Sequence, residues 1–198
     1  MTGVQRVNDL EVREVRDPQE LRAIAHPIRL RLLDELFLSG PATATELSDR
    51  VGQSPANCSW HLRQLARYGY VEEADGGVGR RRPWRAVFRG RAWGGPDESV
   101  ALSRAGDAAT EVLFTREFDQ LRRWQQTRRD EPAEWRDAGF VDQTIGWLTA
   151  PELAELAEEL YPLLMRYADR VADSASRPPG ARPVRFVAWG VPVPPTDS

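Results

Sequence analysis

Six arginines, Arg80, Arg81, Arg82, Arg85, Arg89 and Arg91, fall between positions 80 and 91 with no acid among them. Guanidinium groups this close repel one another unless a polyanion balances them, and their forked donors fit phosphate and guanine edges better than an ammonium does. A second stretch, 54–68, is also free of acids and carries Asn57, Ser59, Arg63, Gln64 and Arg67 beside Trp60. On a helix, Cys58, Leu62 and Leu65 share one face, which leaves Ala56, Trp60, Arg63 and Arg67 on the other. Amide, hydroxyl and guanidinium groups near a helix N-terminus are the donors and acceptors that base edges in a major groove require. For both stretches the plainer alternative is a polar surface that only meets water.

The elements that position these residues are legible from their caps. Asp17-Pro18-Gln19-Glu20 reads as a helix start, with Asp at the cap, Pro in the first turn and Glu closing a capping box. That helix runs to His26, and Pro27 restarts the chain as a second helix with Ile28, Leu32, Leu33 and Leu36 on its apolar face. Thr43-Ala44-Thr45-Glu46 is another capping box and opens a short helix that Gly52 ends. Ser54-Pro55 starts the next, which runs to about Tyr68-Gly69. Two short helices joined across Val51-Gly52-Gln53 make a helix-turn-helix. Residues 70–73 and 84–88 read as strands around a Gly-rich tip at 75–79, a hairpin or wing. The expected DNA contacts are therefore Thr43, Ser54, Ala56, Asn57, Ser59, Trp60, Arg63, Gln64 and Arg67 from the helix pair. Arg80, Arg81, Arg82 and Arg85 join them from the wing, on phosphates or in a narrow minor groove.

The Gly/Pro-rich stretch 91–97 divides the chain into a DNA-binding domain over 17–91 and a C-terminal region over 97–191. That region is expected to hold a helix over about 99–129, a strand over 140–148, a helix from Pro151 to about Asp173 and a last strand over 184–189. The stripe Leu153, Leu156, Leu160, Leu164 and Tyr167 is the expected dimer interface, with packing inside its own chain as the alternative. Trp93, Trp124, Trp135, Trp147 and Trp189 suit core and interface. A pocket for a small apolar effector is the competing use. The fold class is mainly α with a small β wing.

Composition narrows the function classes. The 198 residues carry a formal charge of −3, and all 27 basic residues are Arg. Residues 1–91 sum to +3 and residues 92–198 to −6, so a basic half is joined to an acidic one. One cysteine allows no internal disulfide and suits a reducing compartment. The N-terminus does not resemble a signal peptide and no run has bilayer-spanning length, so a cytoplasmic location without a membrane partner is expected. No Ser/His/Asp grouping, phosphate loop or metal-ligand spacing stands out. No catalytic residue and no cofactor is expected.

Leu21-Arg22-Ala23-Ile24-Ala25-His26-Pro27-Ile28-Arg29-Leu30-Arg31-Leu32-Leu33 resembles the opening helix of ArsR-type winged-helix regulators. Ser54-Pro55-Ala56-Asn57-Cys58-Ser59-Trp60-His61-Leu62-Arg63-Gln64-Leu65, followed by Tyr68-Gly69-Tyr70-Val71-Glu72, is similar to their recognition helix and first wing strand. The resemblance covers 17–90. It implies a homodimeric transcription regulator, a repressor more often than an activator, on an inverted-repeat operator in double-stranded DNA. The family's metal sensors carry paired cysteines on the first helix of the helix-turn-helix, or His/Asp/Glu sets on a terminal helix. Residues 43–51 here have neither Cys nor His, and the chain holds only Cys58, His26 and His61, so no metal site is expected. The rival reading is a winged helix used for protein–protein interaction without specific DNA binding.

Overall fold

The computed structural model describes residues 6–7, 10–76, 82–95 and 98–194. The chain forms two compact units: Met1–Phe114 with Tyr167–Pro183, and Thr115–Arg166 with Val184–Ser198.

In the first unit, strands β1 (Arg6–Val7) and β2 (Leu10–Glu14) precede helices α1 (Pro18–Ile24), α2 (Pro27–Ser39), α3 (Ala44–Val51) and α4 (Pro55–Arg67). Strands β3 (Val71–Glu73), β4 (Trp84–Ala86) and β5 (Gly90–Ala92) and the start of helix α5 (Val100–Thr127) follow. Asp17, Thr43 and Ser54 cap helices where the sequence places them, and His26 caps α2 as well. Asp17 accepts from the Gln19 amide, His26 Nδ1 from Ile28, Thr43 from Glu46 and Ser54 from Asn57. Each satisfies an amide that the first turn leaves orphaned. Gly52 ends α3 in the left-handed region at φ 65°, which lets the chain turn at once into α4. Leu21, Leu32, Leu47, Leu62, Leu65, Val51 and Cys58 form one core against which these helices pack. Leu102, Ala105 and Ala109 of α5 close it, with Gly106 directly beneath the Trp93 ring.

Strands β3 and β4 pair antiparallel as the wing, in the register Val71↔Ala86, Glu72↔Arg85, Glu73↔Trp84. Its tip, including Arg80 and Arg81, lies outside the described residues. A second sheet, in the order β1-β2-β5, pairs β2 with β5 in parallel across most of the domain's sequence. None of its strands was expected. They are two to five residues long and rich in charge, and no local turn announces the pairing of β5 with β2, so distant in sequence.

In the second unit, the rest of α5 is followed by α6 (Ala133–Ala138) and α7 (Ala150–Met165). Helix α8 (Asp169–Ala172) belongs to the first unit. The expected helix from Pro151 to Asp173 therefore breaks between Met165 and Asp169, just beyond Pro162. The strands expected over 140–148 and 184–189 do not form: both stretches are irregular and pair with nothing in a ladder among the described residues. Their residue types favour strand, but a strand needs a neighbour to take its backbone hydrogen bonds. Segment 184–190 lies instead along helices. Trp189 meets Phe118 edge-on at 5.9 Å, Arg185 pairs with Glu117 at 3.0 Å, and Gly190 touches Leu153. Among the described residues of this unit none is buried, and Trp147 is wholly exposed. Its aromatic side chains therefore do not converge on an enclosed apolar site.

Candidate nucleic-acid interface

Helix α4 is set into the domain by its inner face. Cys58, Leu62 and Leu65 are fully buried and His61 nearly so. This fixes the outer face by rotation: Ala56, Trp60, Arg63 and Arg67 are exposed, and Asn57, Ser59 and Gln64 flank them half-buried. The structure thus brings all seven expected reading residues of α4 onto one surface. Two bonds to residues four positions away hold the polar ends of Asn57, Ser59 and Arg63. The Asn57 amide donates to Gln53 Oε1 at 2.8 Å, and Arg63 Nη1 donates to Ser59 Oγ at 2.7 Å. Such local bonds align side chains one turn apart and are weak enough to be exchanged for other partners at little cost.

Thr43 and Ser54 sit at the helix N-termini. The Thr43 amide and hydroxyl both donate to Glu46, which holds that carboxyl below its usual range, and its oxygen accepts from the Glu46 amide. The Ser54 oxygen accepts from the Asn57 amide. Both hydroxyls are therefore engaged in capping.

The wing differs from a bare arginine cluster. Arg85 Nε lies 2.8 Å from Glu72, and Arg82 Nη1 lies 3.0 Å from Glu73, both pairs about half exposed. The acids come from the facing strand, so counting charges along 80–91 alone does not find them. Arg91 leaves the cluster altogether. Its side chain is 8% exposed and its guanidinium lies 3.4 Å from Glu20 and over the Tyr70 ring, 3.7 Å from the ring centre. Glu20, expected to close a capping box, is instead 3% exposed and turned inward to Arg13 and Arg91. Two cations next to a carboxylate outweigh one more bond to a surface amide. Burial pushes the Tyr70 phenol far above its usual range.

Behind the recognition face, the His61 ring lies 4.6 Å from that of His26 and 4.8 Å from that of Trp60. Burial, then the charges of His26 and Arg29, hold His61 below the ordinary histidine value, and burial and Arg29 lower His26. Burial raises the Cys58 thiol. Among the described residues no group of three or more His, Cys, Asp or Glu is placed to hold a metal ion, and no helix is long and apolar enough to cross a membrane.

A family model described as a helix-turn-helix domain matches residues 24–74. Within those residues α3 and α4, joined across Gly52, have the arrangement of a helix-turn-helix. With the β3–β4 hairpin directly after α4, the domain is a winged helix-turn-helix. No curated protein matches the chain. Among solved structures, the chain is similar to reduced HlyU from Vibrio cholerae, at 24% identity over 44% of this chain and 79% of that one, with a TM-score of 0.30. It is similar to the homodimeric winged helix-turn-helix DNA-binding domain of Mb0332 from Mycobacterium bovis, described as a possible ArsR-family regulator. The identity there is 20% over 50% of this chain and 76% of that one, with a TM-score of 0.32. ZitR from Lactococcus lactis, solved in complex with DNA, matches at 14% identity over 81% of this chain and 82% of that one, with a TM-score of 0.27.

Proposed function

We propose that this protein is a sequence-specific DNA-binding transcription regulator of ArsR type, which reads the major groove with α4 and steadies itself on phosphates with the wing. The observation that carries the reading is the composition of the one exposed face of α4. On the second helix of a helix-turn-helix domain it offers Asn57, Ser59, Trp60, Arg63, Gln64 and Arg67 and no acid. A helix that met only water would have no reason to exclude carboxylates, whereas one lying against two phosphate chains must. Ala56 keeps the first turn small, so that the backbone can approach base pairs closely.

One winged helix covers a single half-site, so the proposed working form is a homodimer on an inverted repeat, with half-sites about one helical turn apart. The α7 stripe Leu153, Leu156, Leu160 and Leu164 is the proposed contact; Tyr167, expected to continue it, lies beyond the end of α7 and in the first unit. Leu156 and Leu160 are exposed, which favours a use outside the chain over the alternative of internal packing. Repression is the proposed outcome, since a dimer across a promoter excludes polymerase. Sequencing of duplexes enriched by the protein from a random pool tests the reading. A two-fold symmetric consensus is expected, and an enriched pool without any consensus would refute base reading.

A further inference from the structure

The buried cluster around Arg91 lies at the joint between α4 and the wing, and the proposed reading of DNA makes no use of it. Helix α4 ends at Tyr68, Gly69 turns the chain at φ 69°, and β3 begins at Val71. Arg91, from β5, reaches this corner from the far side of the sequence. Its Nη2 donates to the Gly69 carbonyl at 2.7 Å and lies 3.5 Å from that of Tyr68. The same guanidinium faces Glu20 of α1 through Nε at 3.4 Å and lies over the Tyr70 ring. Glu20 in turn holds Arg13 of β2, which stands opposite Arg91 in the β2–β5 register.

A buried ion cluster is a poor means of stabilising a domain, because apolar side chains of the same volume commonly serve as well or better. Its distinct capacity is directional. A rigid fork contacts a carboxylate, a carbonyl and a ring face together, in one relative orientation of the elements that bear them. The elements joined here are α1, the end of α4 and the start of β3.

We propose that Arg91 is a positioning residue for the recognition helix: oriented by Glu20, its guanidinium fixes the angle between α4 and the wing, and so determines whether both fit DNA at once. The proposal rests on the DNA-reading function. Base contacts tolerate little angular error, while phosphate contacts by long arginines tolerate much. Loss of the fork therefore lowers discrimination before it lowers affinity in general.

The test uses the full-length protein with Arg91→Lys, which keeps a cation beside Glu20 but has no fork. A second variant, Glu20→Gln with Arg91→Gln, leaves no unpaired buried charge should the first fold poorly. Two readouts are taken. The first is the NMR signals of α4 amides and of the Trp60 indole in the free protein. The second is affinity for a duplex enriched from a random pool by the wild type, set against a scrambled duplex at the same salt. Arg91→Lys is expected to move the α4 signals and to weaken the enriched duplex about tenfold while the scrambled one changes by less than about twofold. A domain that is merely less stable lowers both affinities by one factor, and that result, or a wild-type ratio in both variants, overturns the proposal. A wild type that does not discriminate between the duplexes refutes DNA reading itself. The free-protein signals then still decide the positioning role: displaced α4 signals support it and unmoved ones overturn it.

Discussion

Replacing Glu72 and Glu73 with glutamine is predicted to tighten DNA binding. In the free protein these carboxylates hold Arg85 and Arg82 at 2.8 and 3.0 Å. Both pairs are about half exposed, so each stabilises the domain by no more than about 0–1 kcal/mol, and the variant should fold normally. On DNA the same carboxylates face phosphates gathered by the same arginines. At a separation of about 6 Å each repulsion costs about 0.7 kcal/mol in water, and the two together cost about tenfold in affinity at low salt. With a Debye length of about 8 Å at physiological ionic strength, the gain on removing them shrinks to about threefold. Arg82→Ala with Arg85→Ala has the opposite effect and removes about 0.9 from the salt slope for each phosphate left without its arginine. Fluorescence anisotropy of a labelled duplex across a salt series reads both effects. Unchanged or weaker binding by the glutamine variant at low salt, together with an unchanged slope in the alanine variant, would take the wing out of the interface.

Asn57→Ala and Arg63→Ala should each cost about 1–3 kcal/mol against the preferred duplex and relax the choice at one or two base pairs, measured with single-base variants of that duplex. Equal losses on preferred and random DNA would mean that α4 is not the reader. Leu156→Glu with Leu160→Glu should yield a folded monomer by sedimentation, since both side chains lie at the surface of their own chain. A dimer that persists would move the interface elsewhere. Stability should also fall with acid. His26 and His61 both have lowered folded values, so the unfolded chain binds protons that the folded chain resists. Their contribution is complete above the unfolded value of about 6.5 and is lost as the pH falls through it toward the folded values. Urea midpoints at pH 7.5 and 5.5 should differ more for the wild type than for His26→Gln with His61→Gln, and equal differences would contradict this origin.

The helix-turn-helix was legible because its information is local. Thr43 with Glu46, Ser54 with Pro55, and Gly52 each fix a helix end within four residues, and Cys58, Leu62 and Leu65 set the rotation of α4 by spacing alone. What sequence reasoning missed depends on distant partners. Gly90–Ala92 becomes a strand only because Leu10–Glu14 lies beside it, and Arg91 leaves the basic run only because Glu20 and Tyr70 wait at the other end of its side chain. The one local signal for the cluster was Glu20, and a good N-terminal cap explained it equally well. The same dependence accounts for the strands expected over 140–148 and 184–189, where β-favouring residues meet no strand among the described residues.

The central claim, that α4 reads bases while arginines hold phosphates, is tested most directly by comparing two affinities. They are those of the wild-type protein for its enriched duplex and for a scrambled duplex of equal length, each followed from about 50 to 200 mM salt. The account predicts that both decline steeply with salt while the enriched duplex stays tighter by about a thousandfold or more throughout. Equal affinities, or a binding constant indifferent to salt, would contradict it.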